Sequence, residues 1–162
     1  HLSGFLTVHE NLMLASKLKN LSKNYLEHEE NIAKVLHLLK LESSKLTKIS
    51  RLSGGQKRRL SIALELLDNP LMLILDEPTT GLDSGATQQL VLSLQQLLRE
   101  SRVFGHGMAI IATIHQPSAR VFAEFDHIHV MSKHGKALYS NSPGMFSQQF
   151  MNKFKTFFSI KF

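Results

Sequence analysis

Two adjacent carboxylates, Asp76 and Glu77, follow the apolar run Leu71 to Leu75 and stand just before Pro78. A short apolar run bounded by turn residues reads as a strand covered on both faces of a parallel sheet. In open α/β sheets, ligands sit beyond the carboxyl ends of such strands. There, Asp76 can hold a divalent cation, directly or through water, and Glu77 can orient or deprotonate an attacking water. Taken alone, the dipeptide reads first as a plain turn before Pro78.

Upstream lies Leu52-Ser53-Gly54-Gly55-Gln56. Its glycines let backbone N–H groups at a helix start approach an anion closely, with the helix dipole assisting, and Ser53 adds a hydroxyl donor. Taken alone, Ser-Gly-Gly is also an ordinary N-cap. Placed in this order and this close, the two segments point to ATP hydrolysis on a Mg²⁺-bound nucleotide. Lys57, Arg58 and Arg59 follow at once; they either assist an anion or form a solvated helix face, the commoner use of such a run. His115, in Thr113-Ile114-His115-Gln116-Pro117-Ser118, lies just past a second apolar segment. If the two strands are neighbours, it reaches the same edge as Asp76 and Glu77 and can bond a terminal phosphate or position water. His127 and His129 alternate as on a strand and, without a third ligand nearby in sequence, read as surface histidines.

These groups need elements to position them. Thr7-Val8-His9-Glu10 has the form of a capping box opening a helix to about Lys19. After the polar stretch from Asn20 to Asn24, Ile32, Val35, Leu36 and Leu39 give the stripe of a second helix. The polar segment from Glu42 to Arg51 reads as a loop. Ser53 and Gln56 form another capping box, and Leu60, Ile62, Ala63, Leu66 and Leu67 mark a helix that Asp68-Asn69-Pro70 stops. Asp83 or Ser84 caps a helix to about Arg102, with Leu90, Val91, Leu94, Leu97 and Leu98 on its buried face. Met108 to Thr113 reads as the second buried strand, and a short helix follows Ser118. His127 to Ser132 and Ala137 to Ser140 read as a hairpin around His134-Gly135 at one sheet edge. Strand, helix, strand in succession predicts an α/β domain with parallel central strands.

Composition bounds the rest. The chain has 162 residues, 43% of them hydrophobic, enough for one packed domain. It has no Cys, which excludes disulfides and thiolate metal sites. No apolar run approaches the roughly 20 residues that span a bilayer. The formal charge of +6 is uneven: past Asp126 no acidic residue occurs, whereas Lys133, Lys136, Lys153, Lys155 and Lys161 do. The bulk of the chain is close to neutral, so no nucleic-acid partner is expected.

The residues carry a resemblance to the nucleotide-binding domain of an ABC transporter. Leu52–Gln56 matches the signature motif, Leu71–Asp76 the Walker B strand, Glu77 the catalytic glutamate, Gly81-Leu82-Asp83-Ser84 the D-loop and His115 the switch histidine. These elements occur in family order across most of residues 5–140. Ala63-Leu64-Glu65-Leu66, Pro78-Thr79-Thr80-Gly81 and His115-Gln116-Pro117-Ser118 further resemble the G subfamily, the White-like half-transporters, with the lipid- and sterol-exporting branch nearest. The resemblance implies an α/β fold of the P-loop NTPase, RecA-like kind: a mostly parallel sheet with helices, preceded by an α-helical subdomain carrying the signature. Residues 1–145 would be the ABC ATPase part, about 5–52 helical and 53–145 the signature helix and C-terminal core, and 146–162 a basic Phe-rich tail.

The resemblance also assigns roles. ATP and Mg²⁺ would be the cofactors, with Asp76 holding the metal through water. Glu77 and His115 would act on the chain's own nucleotide, while Ser53, Gly54, Gly55 and Gln56 would bind the partner's ATP in trans. Gly81, Leu82, Asp83 and Ser84 would lie at the dimer interface. The partners implied are a second nucleotide-binding domain, in a homo- or heterodimer of half-transporters, and a membrane domain, at the cytoplasmic face of a membrane.

Two departures qualify this. No Gly-x-x-x-x-Gly-Lys-Ser/Thr occurs, so the P-loop, which supplies most of the phosphate cradle, is missing. The Q-loop glutamine of the family would fall just before His1, and the opening reads as an entry in mid-domain. The chain is therefore expected to be an N-terminally truncated piece of a protein with a working P-loop, binding ATP poorly and turning none over by itself. Second, Phe146, Phe150, Phe154, Phe157 and Phe158 recur at helical spacing among lysines, as in a terminal helix packed on the sheet or a basic amphipathic helix at a membrane surface. The competing classes are a soluble ABC-type ATPase acting on DNA or ribosomes, which would carry long coiled coil before the signature, and a non-catalytic fragment pairing with an intact half-transporter.

Overall fold

The computed structural model describes residues 4–103, 107–115, 117–132 and 134–144, within two compact units, residues 1–115 and 116–162. The first unit opens with helices started by reciprocal caps. Thr7 precedes α1 (Val8–Lys19): its hydroxyl accepts from the Glu10 N–H at 3.2 Å, and Glu10 Oε2 accepts from the Thr7 N–H at 2.8 Å. Two donors that a helix start leaves over are thereby satisfied. Asn24 and Glu27 repeat the device for α2 (Tyr25–Leu38), as do Ser53 and Gln56 for α3 (Gly54–Leu66). The Asn24 cap had been hidden in a merely polar stretch.

Apolar spacing then packs the helices. Ile32, Val35, Leu36 and Leu39 are all buried, as are Leu60, Ile62, Ala63, Leu66 and Leu67, each such large side chain contributing about 1.5–3 kcal/mol on removal from water. They meet Leu12 and Leu41 in one core. A buried hydrogen bond, Ser16 Oγ to His28 Nδ1 at 2.7 Å, crosses from α1 to α2 inside that core. The polar segment 42–51 is more ordered than a loop reading suggests. It makes 3₁₀ turns at Glu42–Ser44 and Ile49–Arg51. Between them its backbone pairs with the lead into α1: the Val8 N–H donates to Thr47 O at 3.0 Å and the Ile49 N–H to Leu6 O at 2.9 Å. Segment 42–51, which leads into the cap of α3, is therefore strapped to the start of α1.

Past Asn69, in the left-handed region at φ 47°, the chain forms β1 (Met72–Leu75), α4 (Ser84–Val103) and β2 (Ala109–Ala112). β1 and β2 pair in parallel, Met72 opposite Ala109 through Leu75 opposite Ala112. Leu73 and Leu75 face the same core as Leu90, Leu94 and Leu97 of α4. The expectation of a strand covered on both faces is corrected: Met72 is 54% and Ile74 71% exposed, as is Ile111 of β2 at 54%. The run is apolar on both sides, but among the described residues the sheet has two strands and packs on one side only. Leu98, expected with the buried face of α4, is half-buried.

The second unit holds α5 (Ala119–Phe122), capped by the Ser118 hydroxyl, and the antiparallel pair β3 (Ile128–Met131) and β4 (Ala137–Asn141). Gly135 turns the hairpin at φ 77°. This pair is a two-stranded sheet of its own among the described residues. His127 is exposed and its Nε2 lies 3.0 Å from Ser140 Oγ. The Phe-rich tail falls outside the described residues. No helix among the described residues is long and apolar enough to cross a membrane.

Candidate functional site

The parallel register carries β1 and β2 to a common carboxyl edge, and the chemistry stands there. One step past Leu75 and Ala112, Asp76 comes opposite Thr113. Thr113 Oγ1 donates to Asp76 Oδ1 at 2.6 Å and accepts the Glu77 N–H at 2.9 Å. A single hydroxyl thus fixes the first carboxylate by its side chain and the second by its backbone. His115 follows two residues beyond Thr113 and is exposed.

Glu77 takes an unusual backbone, with φ at 43°. Its carbonyl accepts from the Thr80 N–H at 3.2 Å, closing a turn, and its carboxylate accepts from Thr80 Oγ1 at 2.9 Å. A further hold arrives from α3. Arg58 Nη2 donates to Glu77 O at 2.6 Å and Arg58 Nε to Pro78 O at 3.1 Å. Arg59 is buried, and its Nη1 donates to Gln89 Oε1 of α4 at 2.9 Å; burial pushes its guanidinium below the usual arginine range. Neither sequence reading of these arginines, anion assistance or a solvated face, describes them. Half-buried Arg58 braces α3 on the turn after β1, and buried Arg59 braces it on α4.

The glycine-rich start of α3 packs against the segment that opens α4. A Cβ on Gly55 would come 3.1 Å from Ala86 Cβ, whereas one on Gly54 would meet Leu82 Cδ2 at 3.9 Å. The close approach of α3 to the start of α4 therefore favours glycine at 55 on packing grounds alone. Asp83, not Ser84, makes the cap of α4: its Oδ1 accepts the Ala86 N–H at 2.8 Å and its carbonyl the Thr87 N–H at 2.9 Å. Gly81 sits at φ 77° with open space around it, which suits a left-handed turn position. Gln56 spends both ends of its amide inside the chain: Oε1 accepts the Ser53 N–H at 2.9 Å and Nε2 donates to Ser44 Oγ at 3.0 Å.

These groups suit a Mg²⁺-nucleotide in kind. Asp76 and Thr113 offer hard oxygen atoms on an exposed edge. No group of three or more His, Cys, Asp or Glu among the described residues could enclose a metal ion. A cation held here would fill its remaining positions with water and phosphate oxygens, the habit of Mg²⁺. The start of α3 offers the N–H groups of a capped helix of 13 residues to an anion.

Comparison with known proteins decides the family. A family profile described as ABC transporter matches residues 1–80. Protein scarlet of Drosophila melanogaster is 38% identical over 148 residues, covering 86% of this chain and 21% of that protein. ABC transporter G family member 25 of Arabidopsis thaliana is 41% identical over 140 residues, 83% of this chain and 20% of that protein. The chain belongs to the ABC transporter family. The broad substrate specificity ATP-binding cassette transporter ABCG2 of Rattus norvegicus, 39% identical over 143 residues, covers 84% of this chain and 20% of its own length, and with the plant protein it places the chain in the G subfamily. The chain spans about a fifth or less of the curated relatives it matches, from 10% to 21% of their length.

Within this ABC transporter segment, Asp76, Glu77 and the α3 start are linked through residues that motif reading passes over: Thr113, Thr80, Arg58, Arg59 and Gln89. Two of them left a signal. Gly55, Arg59, Ile62 and Leu66 share one helical stripe, at intervals of four, three and four, which places Arg59 on the buried face of α3. Thr113 is the residue that a parallel register sets opposite Asp76.

Proposed function

We propose that this chain supplies the hydrolytic edge of an ATP-driven membrane exporter of the ABC G subfamily. In this reading Asp76 holds Mg²⁺ through water, Glu77 polarises the attacking water, and His115 bonds the terminal phosphate of the chain's own nucleotide. Ser53, Gly54 and Gly55 offer donors to the nucleotide of a second, dimer-related domain, and Gly81 to Ser84 line the meeting of the two. Gln56, held by Ser53 and Ser44, completes that nucleotide-facing start. Residues about 5–52 form the helical subdomain that carries the signature helix, and a membrane domain of the whole protein moves the substrate, a lipid or sterol. ATP bound to Mg²⁺ supplies the driving free energy. The observation that carries the reading is the adjoining of Asp76 and Glu77, locked by Thr113 at the carboxyl edge of a parallel pair.

The test is a chimera: rat ABCG2 with its aligned segment of 143 residues replaced by this chain's. It is expected to hydrolyse ATP, and Glu77→Gln is expected to abolish turnover while ATP binding persists. Turnover unaffected by Glu77→Gln would overturn the assignment. Calorimetric titration of the chain alone with Mg²⁺-ATP is expected to show no micromolar affinity, since no P-loop pattern occurs in it.

A further inference from the structure

The turn after β1 poses a physical problem. Glu77 lies in the left-handed region at φ 43°, a conformation that is costly for a non-glycine residue. Pro78 follows it, and the residue before a proline is pushed away from right-handed helical backbone toward extended backbone. Released, Glu77 would therefore relax to extended backbone and swing its carboxylate off the edge where Asp76 stands. Something must over-determine it. Thr113 holds its N–H and Thr80 its carboxylate, but both belong to the edge and turn themselves.

We propose that Arg58 is the positioning residue that holds Glu77 in this conformation from outside the turn. Its guanidinium spans two successive carbonyls, Glu77 O at 2.6 Å and Pro78 O at 3.1 Å. Two donors in a rigid fork fix the orientation of the peptide between those carbonyls, which sets the direction of the Glu77 side chain. Lysine, a compact charge whose donors rotate about one nitrogen, lacks that rigid fork. Arg58 stands one turn into α3 from Gly54 and Gly55, so the helix start proposed to face a partner's nucleotide and the carboxylate proposed to act on the chain's own are joined through one side chain. This rests on the reading of Glu77 as the water-activating carboxylate, and the conformational part does not depend on it.

The experiment has two arms. In the 162-residue chain, the three-bond HN–Hα coupling, the ¹³Cα and ¹³Cβ shifts and the amide exchange of Glu77 report its backbone without any nucleotide. Arg58→Gln is expected to move these from left-handed toward extended values and speed exchange at Glu77 and Thr80, with α1 and α2 amides unchanged. Arg58→Lys is expected to retain only part of the native signature, and it decides the matter should the glutamine variant fail to fold. Unchanged Glu77 signals in a folded variant would overturn the proposal, as would a uniform rise in exchange across the unit, which marks a merely structural role. In the rat ABCG2 chimera, Arg58→Gln is expected to lower kcat by about ten- to a hundredfold with the KM for ATP unchanged. An unaltered kcat beside a dead Glu77→Gln defeats the role of Arg58 alone. A live Glu77→Gln defeats the hydrolytic reading and leaves the backbone result standing.

Discussion

Replacing Thr113 by valine removes one hydroxyl and almost no volume, so it isolates the hydrogen bonds that lock the edge. The hydroxyl makes two, one to the Asp76 carboxylate at 2.6 Å and one from the Glu77 N–H at 2.9 Å. A bond to a charged group contributes about 1.5–3 kcal/mol net and a neutral one about 0.5–1.5 kcal/mol. The edge is exposed, so water replaces much of the first. The backbone N–H is less easily resatisfied, because its residue is held in a left-handed turn. The expected loss is about 1–2 kcal/mol, which lowers the melting temperature by about 2–8 °C for a chain of this size. Thermal unfolding of the purified chain by circular dichroism measures it, with Thr113→Ser as the control that keeps both bonds. The role of the two bonds is refuted if the valine variant melts with the wild type, or if serine, which keeps the hydroxyl, loses as much as valine, since the site would then answer to side-chain shape and not to those bonds.

The two signature glycines are expected to part company. Gly54→Ala, with 3.9 Å to Leu82 Cδ2, should be neutral or stabilising by up to about 1 kcal/mol, whereas Gly55→Ala, at 3.1 Å from Ala86 Cβ, should lose about 1–3 kcal/mol. Urea unfolding of both, with Ala86→Gly added to the second, checks it: a rescue of Gly55→Ala by Ala86→Gly locates the clash between α3 and α4. Stability should also fall in acid through Glu29. Burial opposes its ionisation, but hydrogen bonds from His9, Tyr25 and Lys45 and the charge of His9 outweigh that and hold its carboxyl below the ordinary 4.5. A depressed folded value stabilises above the unfolded pKa and is lost as pH falls through the folded one, hence below about 4.5. Melting curves taken downward through that value should show a steeper decline for the wild type than for Glu29→Gln, and equal slopes would refute the role of this cluster.

Much of the first unit was legible because local rules act alone there. All three of its capping boxes are written in residue type and spacing, the Asn24–Glu27 one masked by its polar surroundings, and the stripes of α2 and α3 follow the helical period. The edge position of Asp76 and Glu77 was legible from the short apolar run before them, and the parallel pairing from strand, helix and strand in succession. The rest required tertiary partners. Nothing local tells whether an apolar strand has one face covered or two, and Met72 and Ile74 show that the described residues cover one. Segment 42–51 looked like a loop because its order comes from backbone bonds to Leu6 and Val8, which carry no side-chain pattern.

The arginines after the signature mark the sharper limit. A basic run at a helix start is read from its charge, and charge by default is assigned to solvent or to an anion. Helical geometry sets a different constraint. At 3.6 residues per turn, consecutive residues point about 100° apart, so Lys57, Arg58 and Arg59 cannot share a face. Arg59 falls on the stripe of Gly55, Ile62 and Leu66 and is buried against Gln89, while Arg58 falls beside it and meets the carbonyls of Glu77 and Pro78. α3 therefore does two things along its own axis: its capped first turn packs on the start of α4 and is the part proposed to face an anion, and its second turn is fastened to the carboxylate edge. If the proposed hold of Arg58 on Glu77 is sound, displacing the start of α3 displaces Glu77, and the state of one nucleotide site is felt at the other through five residues of one helix.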